Sequence, residues 1–188
     1  MHKLFSFRRC PYAMRARLAL RLAKVEVQIQ EIELRNRPSE LYAVSPKGTV
    51  PVLVLDDGTV IEESIEIVRW ALGGSDKDYA LIKQCDGEFK QHLDRYKYST
   101  RYEDVDPKFH RQQGSLFIEQ LNNLLGKDDY LAGNEFGIPD LCIAPFIRQF
   151  RVADVEWLDE QPWPALHNWL QRYLESSDFK AIMVKAKP

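Results

Sequence analysis

Along the first third of the chain the spacing of apolar residues changes period several times. Lys3 to Phe7 reads as a short strand, after which Met14, Leu18 and Leu22 recur at helical spacing through about residue 24. Val25, Val27 and Ile29 then alternate with Glu26, Gln28 and Gln30, the period of two that buries one face of a strand. Arg35-Asn36-Arg37-Pro38 and Ser45-Pro46-Lys47-Gly48 are rich in turn formers, and Glu40 to Val44 between them predicts one or two helical turns. A hairpin follows: Val50 to Leu55 is an apolar run, Asp56-Asp57-Gly58 is a turn signal, and Thr59-Val60-Ile61 supplies the returning strand. Ser64 is placed to cap a helix carrying Ile65, Val68 and Leu72, which Gly73-Gly74 ends. The order is βαβ, an irregular turn, then ββα.

Beyond about residue 75 the strand signals stop. Phe89, Leu93 and Tyr96 share one helix face, Phe117, Leu121, Leu124 and Leu125 another, and Leu166, Trp169, Leu170, Tyr173 and Leu174 form the clearest stripe. The change at Gly73-Gly74-Ser75-Asp76 predicts an α/β domain over residues 1–74 and an all-helical domain over 75–188. No internal repeat or low-complexity segment interrupts either part.

Composition narrows the function classes. A chain of 188 residues with formal charge −2 and 29% charged residues has no cationic excess to offer a nucleic acid. No apolar run approaches the roughly 20 residues of a membrane span, and the first residues lack the apolar stretch and small-residue site of a signal peptide, so a cytoplasmic location is expected. The three cysteines, Cys10, Cys85 and Cys142, are odd in number and widely spaced, which suggests no disulfide framework. His2, His92, His110 and His167 are scattered as well, with no pair at zinc-ligand spacing on one helix face, so no metal is expected.

Chemistry concentrates in a few short segments. In Cys10-Pro11-Tyr12-Ala13, Pro11 suits the first helical position and so puts Cys10 at the N-cap, beside unpaired backbone N–H groups. The helix dipole and the nearby Arg8, Arg9 and Arg15 favour a thiolate, and such surroundings lower a thiol from about 8.5 into the range of roughly 3.5 to 7.5. Ala13 stands where a dithiol oxidoreductase has its resolving cysteine, so release of a mixed disulfide needs an external thiol. The local residues also allow Cys10 to be a small buried side chain at a strand end. Pro51 removes a ladder donor from an apolar run, which marks an edge position or a cis peptide bond, a form found in only about 5 to 6% of X-Pro bonds. At Glu63-Ser64 the serine is either a simple helix cap or, with Glu63, a receptor for the carboxylate and ammonium of an amino-acid head group.

Taken together, Cys10-Pro11-Tyr12-Ala13, Ser45-Pro46-Lys47-Gly48-Thr49-Val50-Pro51-Val52-Leu53 and Glu63-Ser64, in this order, resemble the glutathione transferase superfamily, particularly its cysteine-type, omega-like members. The resemblance implies a thioredoxin-like N-terminal domain followed by a helical bundle, with glutathione as cosubstrate. It implies that Pro51 is a cis proline after Val50, whose backbone pairs with the glutathione cysteine. Glu63 and Ser64 hold the γ-glutamyl end, Arg37 faces the glycyl carboxylate, and Tyr12 lies beside the thiol. Tyr130-Leu131-Ala132-Gly133-Asn134-Glu135-Phe136-Gly137-Ile138-Pro139-Asp140 resembles the family's capping segment before its central helix, with Gly137 in place of the usual Ser or Thr; Asp140 is placed to reach back to the first backbone donor. Pro145, later in the same helix, should bend it or displace a hydrogen bond.

Because Cys10 occupies the position of the serine or tyrosine of other classes, the resemblance implies thiol transfer. Cys10 attacks a glutathione mixed disulfide and a second glutathione releases it, with dehydroascorbate reduction a related possibility. An acceptor pocket is expected between the domains, where Tyr12 and Arg95-Tyr96-Lys97-Tyr98-Ser99-Thr100-Arg101-Tyr102 form a wall; a helix with Tyr96 packed at the domain interface and its charges in water is the alternative. Cys142 is expected to be a core thiol, and Cys85 has no cation-rich neighbourhood. The resemblance also implies a homodimer. Two further readings stay open: a non-enzymatic adaptor that binds a protein such as RNA polymerase, and a conventional transferase that conjugates electrophiles without Cys10.

Overall fold

The computed structural model describes residues 1–185. Strand β1 (His2–Ser6) lies inside a four-stranded sheet of order β2-β1-β3-β4, with β2 (Val27–Glu31), β3 (Val52–Val54) and β4 (Val60–Ile61). It runs parallel to β2 in the register Leu4 to Ile29 and antiparallel to β3, with Leu4 opposite Leu53. Helix α1 (Pro11–Leu22) is the crossover between β1 and β2.

The alternation of side chains along the strands divides the core in two. Leu4 and Leu53 point to one face, where they meet Ala16 and Leu20 of α1 and Ile67 of α3 (Ser64–Leu72). Phe5 and Val52 point to the other, against Ile32 and Leu41, the latter on α2 (Ser39–Val44). The sheet is thus covered on both faces, as in a thioredoxin-like domain.

Several boundaries differ from the sequence pattern. Helix α1 stops at Leu22 because Lys24 turns left-handed (φ 55°) and Val25 N–H closes back on the Leu20 carbonyl at 2.9 Å, so β2 begins at Val27. The apolar run from Val50 pairs only over Val52–Val54, since Pro51 has no N–H and Leu55 N–H is spent on the Thr59 carbonyl at the hairpin turn. At α3 the N-cap is Glu63, and Ser64, expected to be the cap, is the first helical residue.

The remaining helices are α4 (Asp76–Gln84), α5 (Lys90–Lys97), α6 (Pro107–Leu125), α7 (Ile138–Ala153), α8 (Val155–Asp159), α9 (Pro164–Glu175) and α10 (Ser177–Ile182). A single π turn, Cys85–Phe89, joins α4 to α5 around Gly87, whose φ −90°, ψ −105° is not helical. Two compact units result: Met1–Gly73 together with the segment starting at Glu175, and Gly74–Leu174. The sequence pattern carried all helices after residue 75 as one bundle, whereas α10 packs on α1, with Arg21 Nε 2.7 Å from Asp178 Oδ1. Among the described residues no helix is long and apolar enough to cross a membrane.

In the second unit α7 is central, and Leu141, Cys142, Ile143, Phe146, Ile147 and Phe150 are wholly or almost wholly buried. At Gly114 of α6 an added Cβ would stand 2.8 Å from the Phe150 ring, so glycine is what lets α6 approach α7 this closely. The helix continues through Pro145, which leaves the Leu141 carbonyl without its helical donor. Buried Asp140 accepts four N–H groups: Leu131 N and Trp169 Nε1 at 2.8 Å, Ala132 N and Gly137 N at 3.1 Å. Gly137 has no side chain to complete a capping box, so the carboxylate alone ties the turn to the helix. Burial pushes the Asp140 carboxyl above its ordinary range, and these donors oppose that shift.

Candidate active site

The turn after β1 delivers Cys10. Its N–H donates to the Phe7 carbonyl at 3.0 Å, its own backbone is extended (φ −75°, ψ 124°), and its carbonyl accepts the first helical bond from Met14 N at 2.9 Å. It is therefore the N-cap of α1, with Pro11 as the first helical residue, and its side chain makes no cap hydrogen bond. None of the three cysteines is in a disulfide; Cys85 and Cys142 are wholly buried, whereas Cys10 is part-exposed. The Cys10 thiol donates toward the Val50 carbonyl across 3.9 Å, and the Val50–Pro51 peptide bond is cis.

The cations near Cys10 in sequence take different directions. Arg9 lies over the Phe7 ring at 5.6 Å, and Arg8 Nη1 reaches the Met183 carbonyl at 3.5 Å. Arg15 is fully buried; it lies over the Tyr12 ring at 5.5 Å, and its Nη1 is 3.4 Å from Ser64 Oγ. A buried charge thus bridges Tyr12 on α1 and Ser64 on α3.

The start of α3 is a second open helix end, since Glu63 makes no side-chain cap hydrogen bond. Around it, Lys47 Nζ donates to Glu63 Oε1 at 3.0 Å and buried Ser45 Oγ donates to Glu62 Oε1 at 2.6 Å. The hydrogen bond and charge of Glu63, with the charge of Glu62, raise the proton affinity of the Lys47 ammonium. Gly48 holds the turn at φ +61°, where a Cβ would stand 2.4 Å from Tyr42 Cε1. Arg15, expected from the sequence to favour the Cys10 thiolate, is engaged with Ser64 and Tyr12, while Lys47, Glu62 and Ser45 have ordinary local roles in the sequence, in a turn or beside a helix start. Their link to Glu63 and Ser64 is made only by folding.

The structure thus brings Cys10 to Val50 and Pro51, and Tyr12 to Ser64 through Arg15. Arg37, in the loop after β2, is part-exposed, and its buried Nε has no hydrogen-bond partner among the described residues. Within the second unit, the Arg101 guanidinium stacks over Tyr98 at 4.2 Å, Tyr98 hydroxyl accepts from Gln149 Nε2 at 2.9 Å, and the Tyr96 ring packs on Phe150 at 4.9 Å. The Tyr96 ring therefore packs within the second unit. Among the described residues no group of three or more His, Cys, Asp or Glu side chains is arranged to hold a metal ion.

Comparison with known proteins adds a family context. Residues 9–71 match the family described as the glutathione S-transferase N-terminal domain, and residues 90–172 match its C-terminal domain. The chain is 37% identical to glutathione S-transferase omega-1 of Sus scrofa over 202 residues, covering 98% of this chain and 81% of that protein. It is 26% identical to glutathione S-transferase U28 of Arabidopsis thaliana, covering 94% and 86%. A glutathione transferase family member of Pseudomonas fluorescens Pf-5, solved with two glutathione bound, shares the fold at a TM-score of 0.82 and 16% identity over 97% of this chain and 92% of that one.

Proposed function

Because the chain belongs to the glutathione S-transferase family, we propose that it binds glutathione beside the open starts of α1 and α3 and uses Cys10 as the nucleophile of an omega-like thiol transferase. The observation that supports this reading is Cys10 at an uncapped helix N-terminus with its sulfur 3.9 Å from the Val50 carbonyl. Helix starts and their N–H groups suit both a thiolate and a carboxylate. Glutathione fits the residues offered: the Val50 backbone for the amide of its cysteine, Ser64 and Glu63 for its γ-glutamyl head, Tyr12 beside the thiol, and the unpartnered Arg37 Nε for its glycyl carboxylate.

The Cys10 thiolate attacks the glutathione sulfur of a mixed disulfide, forming Cys10–S–S–glutathione and releasing the partner thiolate. A second glutathione thiolate then attacks that same sulfur, yielding oxidised glutathione and the Cys10 thiolate. Each turn consumes one glutathione thiolate, whose sulfur is oxidised to disulfide level as the partner's sulfur is reduced to thiolate, and Ala13 supplies no internal route around the second step. Residues 1–74 carry glutathione in this proposal, 75–188 contribute to the acceptor side, and the working unit is a homodimer.

Intact mass after incubation with oxidised glutathione, in parallel with Cys10→Ser, tests the cycle. The expected result is one glutathione adduct that needs Cys10 and disappears on addition of reduced glutathione. A folded wild-type protein that takes no adduct overturns Cys10 as the nucleophile. Glutathione binding without any turnover then points to an adaptor, and conjugation that survives Cys10→Ser points to a conventional transferase.

A further inference from the structure

The connection from β1 to α1 carries the candidate nucleophile, and its backbone is held by charged side chains lying outside it. At the end of β2, Glu31 Oε1 accepts the Arg8 N–H at 2.6 Å. On α1, Arg17 donates Nη2 to the Arg8 carbonyl at 2.6 Å and Nη1 to Ser6 Oγ at 3.0 Å. The same Nη1 lies 3.8 Å from Glu31 Oε2, and the Arg17 side chain is only 3% exposed. Arg8 is therefore gripped on both sides, its N–H by an anion and its carbonyl by a cation, through charge-assisted bonds that are stronger and more directional than neutral ones.

A buried ion pair is an expensive way to gain stability, since desolvation offsets most of the attraction. What it provides here is a defined path for the chain two residues before Cys10. Cys10 then closes its own N–H on Phe7 and enters α1 as the N-cap. The thiol gains from the helix start only while the sulfur stays beside the first N–H groups, because that field falls off within a turn. We propose that Arg17 and Glu31 are positioning residues that lock the β1–α1 turn and thereby set the reactivity of the Cys10 thiol. This rests on the assignment of Cys10 as nucleophile above.

The pH profile of Cys10 alkylation by iodoacetamide, followed by mass, tests it in the full chain; Cys85 and Cys142 are shielded by burial. Glu31→Ala separates position from charge. Removing an anion by itself favours a thiolate, so Coulomb effects alone move the Cys10 midpoint down, whereas loss of the lock moves it up. The expected result is a wild-type midpoint well below the ordinary thiol range, raised in both Glu31→Ala and Arg17→Met, with alkylation at pH 7 slowed roughly tenfold. Arg21→Gln, which removes the exposed pair with Asp178 on the same helix, leaves the profile unchanged. Should Arg17→Met not fold, Arg17→Lys keeps the charge but cannot span both acceptors, and Glu31→Ala still decides. A low wild-type midpoint that stays put or falls in Glu31→Ala overturns the positioning role alone. An ordinary wild-type midpoint overturns it together with the low-pKa nucleophile.

Discussion

Four helix starts of the second unit and two of the first are finished in opposite ways. In the second unit an acidic side chain closes the starts of four helices: Asp78 accepts from Ser75 at α4, Asp106 from Lys108 N at α6, Asp140 from Gly137 N at α7, and Asp154 from Trp157 N at α8. In the first unit Ser176 caps α10, but α1 and α3 begin at Cys10 and Glu63, neither of which makes a side-chain cap hydrogen bond. A capped start has spent its donors and its positive end on the protein itself. An uncapped one keeps them for an external anion, at a cost in stability of about 0.5–2 kcal/mol per missing cap. In the proposed function the difference separates helices that hold the fold from helices that receive glutathione.

The largest expected effect lies on the capped side. Asp140→Ala leaves four buried or half-buried donors without an acceptor and should lower unfolding stability by about 3–5 kcal/mol in urea denaturation. A loss below about 1 kcal/mol would mean that the cap is not what holds α7. On the open side, Ser64→Ala should weaken glutathione binding about 10- to 100-fold by calorimetry and, because it also removes an acceptor of buried Arg15, lower stability by about 1–3 kcal/mol. An unchanged Kd would remove α3 from the site. Smaller again, Cys10→Ser places a good N-cap on α1 and should raise stability by about 0.5–1 kcal/mol while abolishing thiol transfer. A fall in stability would show that the sulfur packs better than a hydroxyl caps.

The smallest effect is acid sensitivity in the second unit. His92 Nδ1 and His110 Nδ1 are 2.8 Å apart across α5 and α6. Burial, then the neighbouring His92 and Arg95, lowers the proton affinity of His110, with Asp106 opposing. The folded state therefore resists a proton that the unfolded chain accepts below about pH 6.5. Stability from this group is complete above that pH and declines as the pH falls through the range below it. His110→Gln should flatten the slope of stability against pH there, and an unaltered slope would show that the pair does not titrate on folding.

Much of this was legible in the amino-acid sequence. Period-two and period-3.6 patterning placed the βαβ–ββα order and the helical remainder, because local burial imposes those periods. Pro11 after Cys10 marked a helix start, because proline has no N–H to lose at that position. What only the tertiary structure decided is which distant groups meet. Cys10 reaches Val50, Arg15 joins Tyr12 to Ser64, Lys47 pairs with Glu63, Asp140 gathers donors from three segments, and α10 returns to α1. Local periodicity reports how one segment is buried. Contacts such as these depend on how the chain closes on itself, and nothing in the residues flanking Arg17 or Glu31 announces that they meet at the backbone of Arg8.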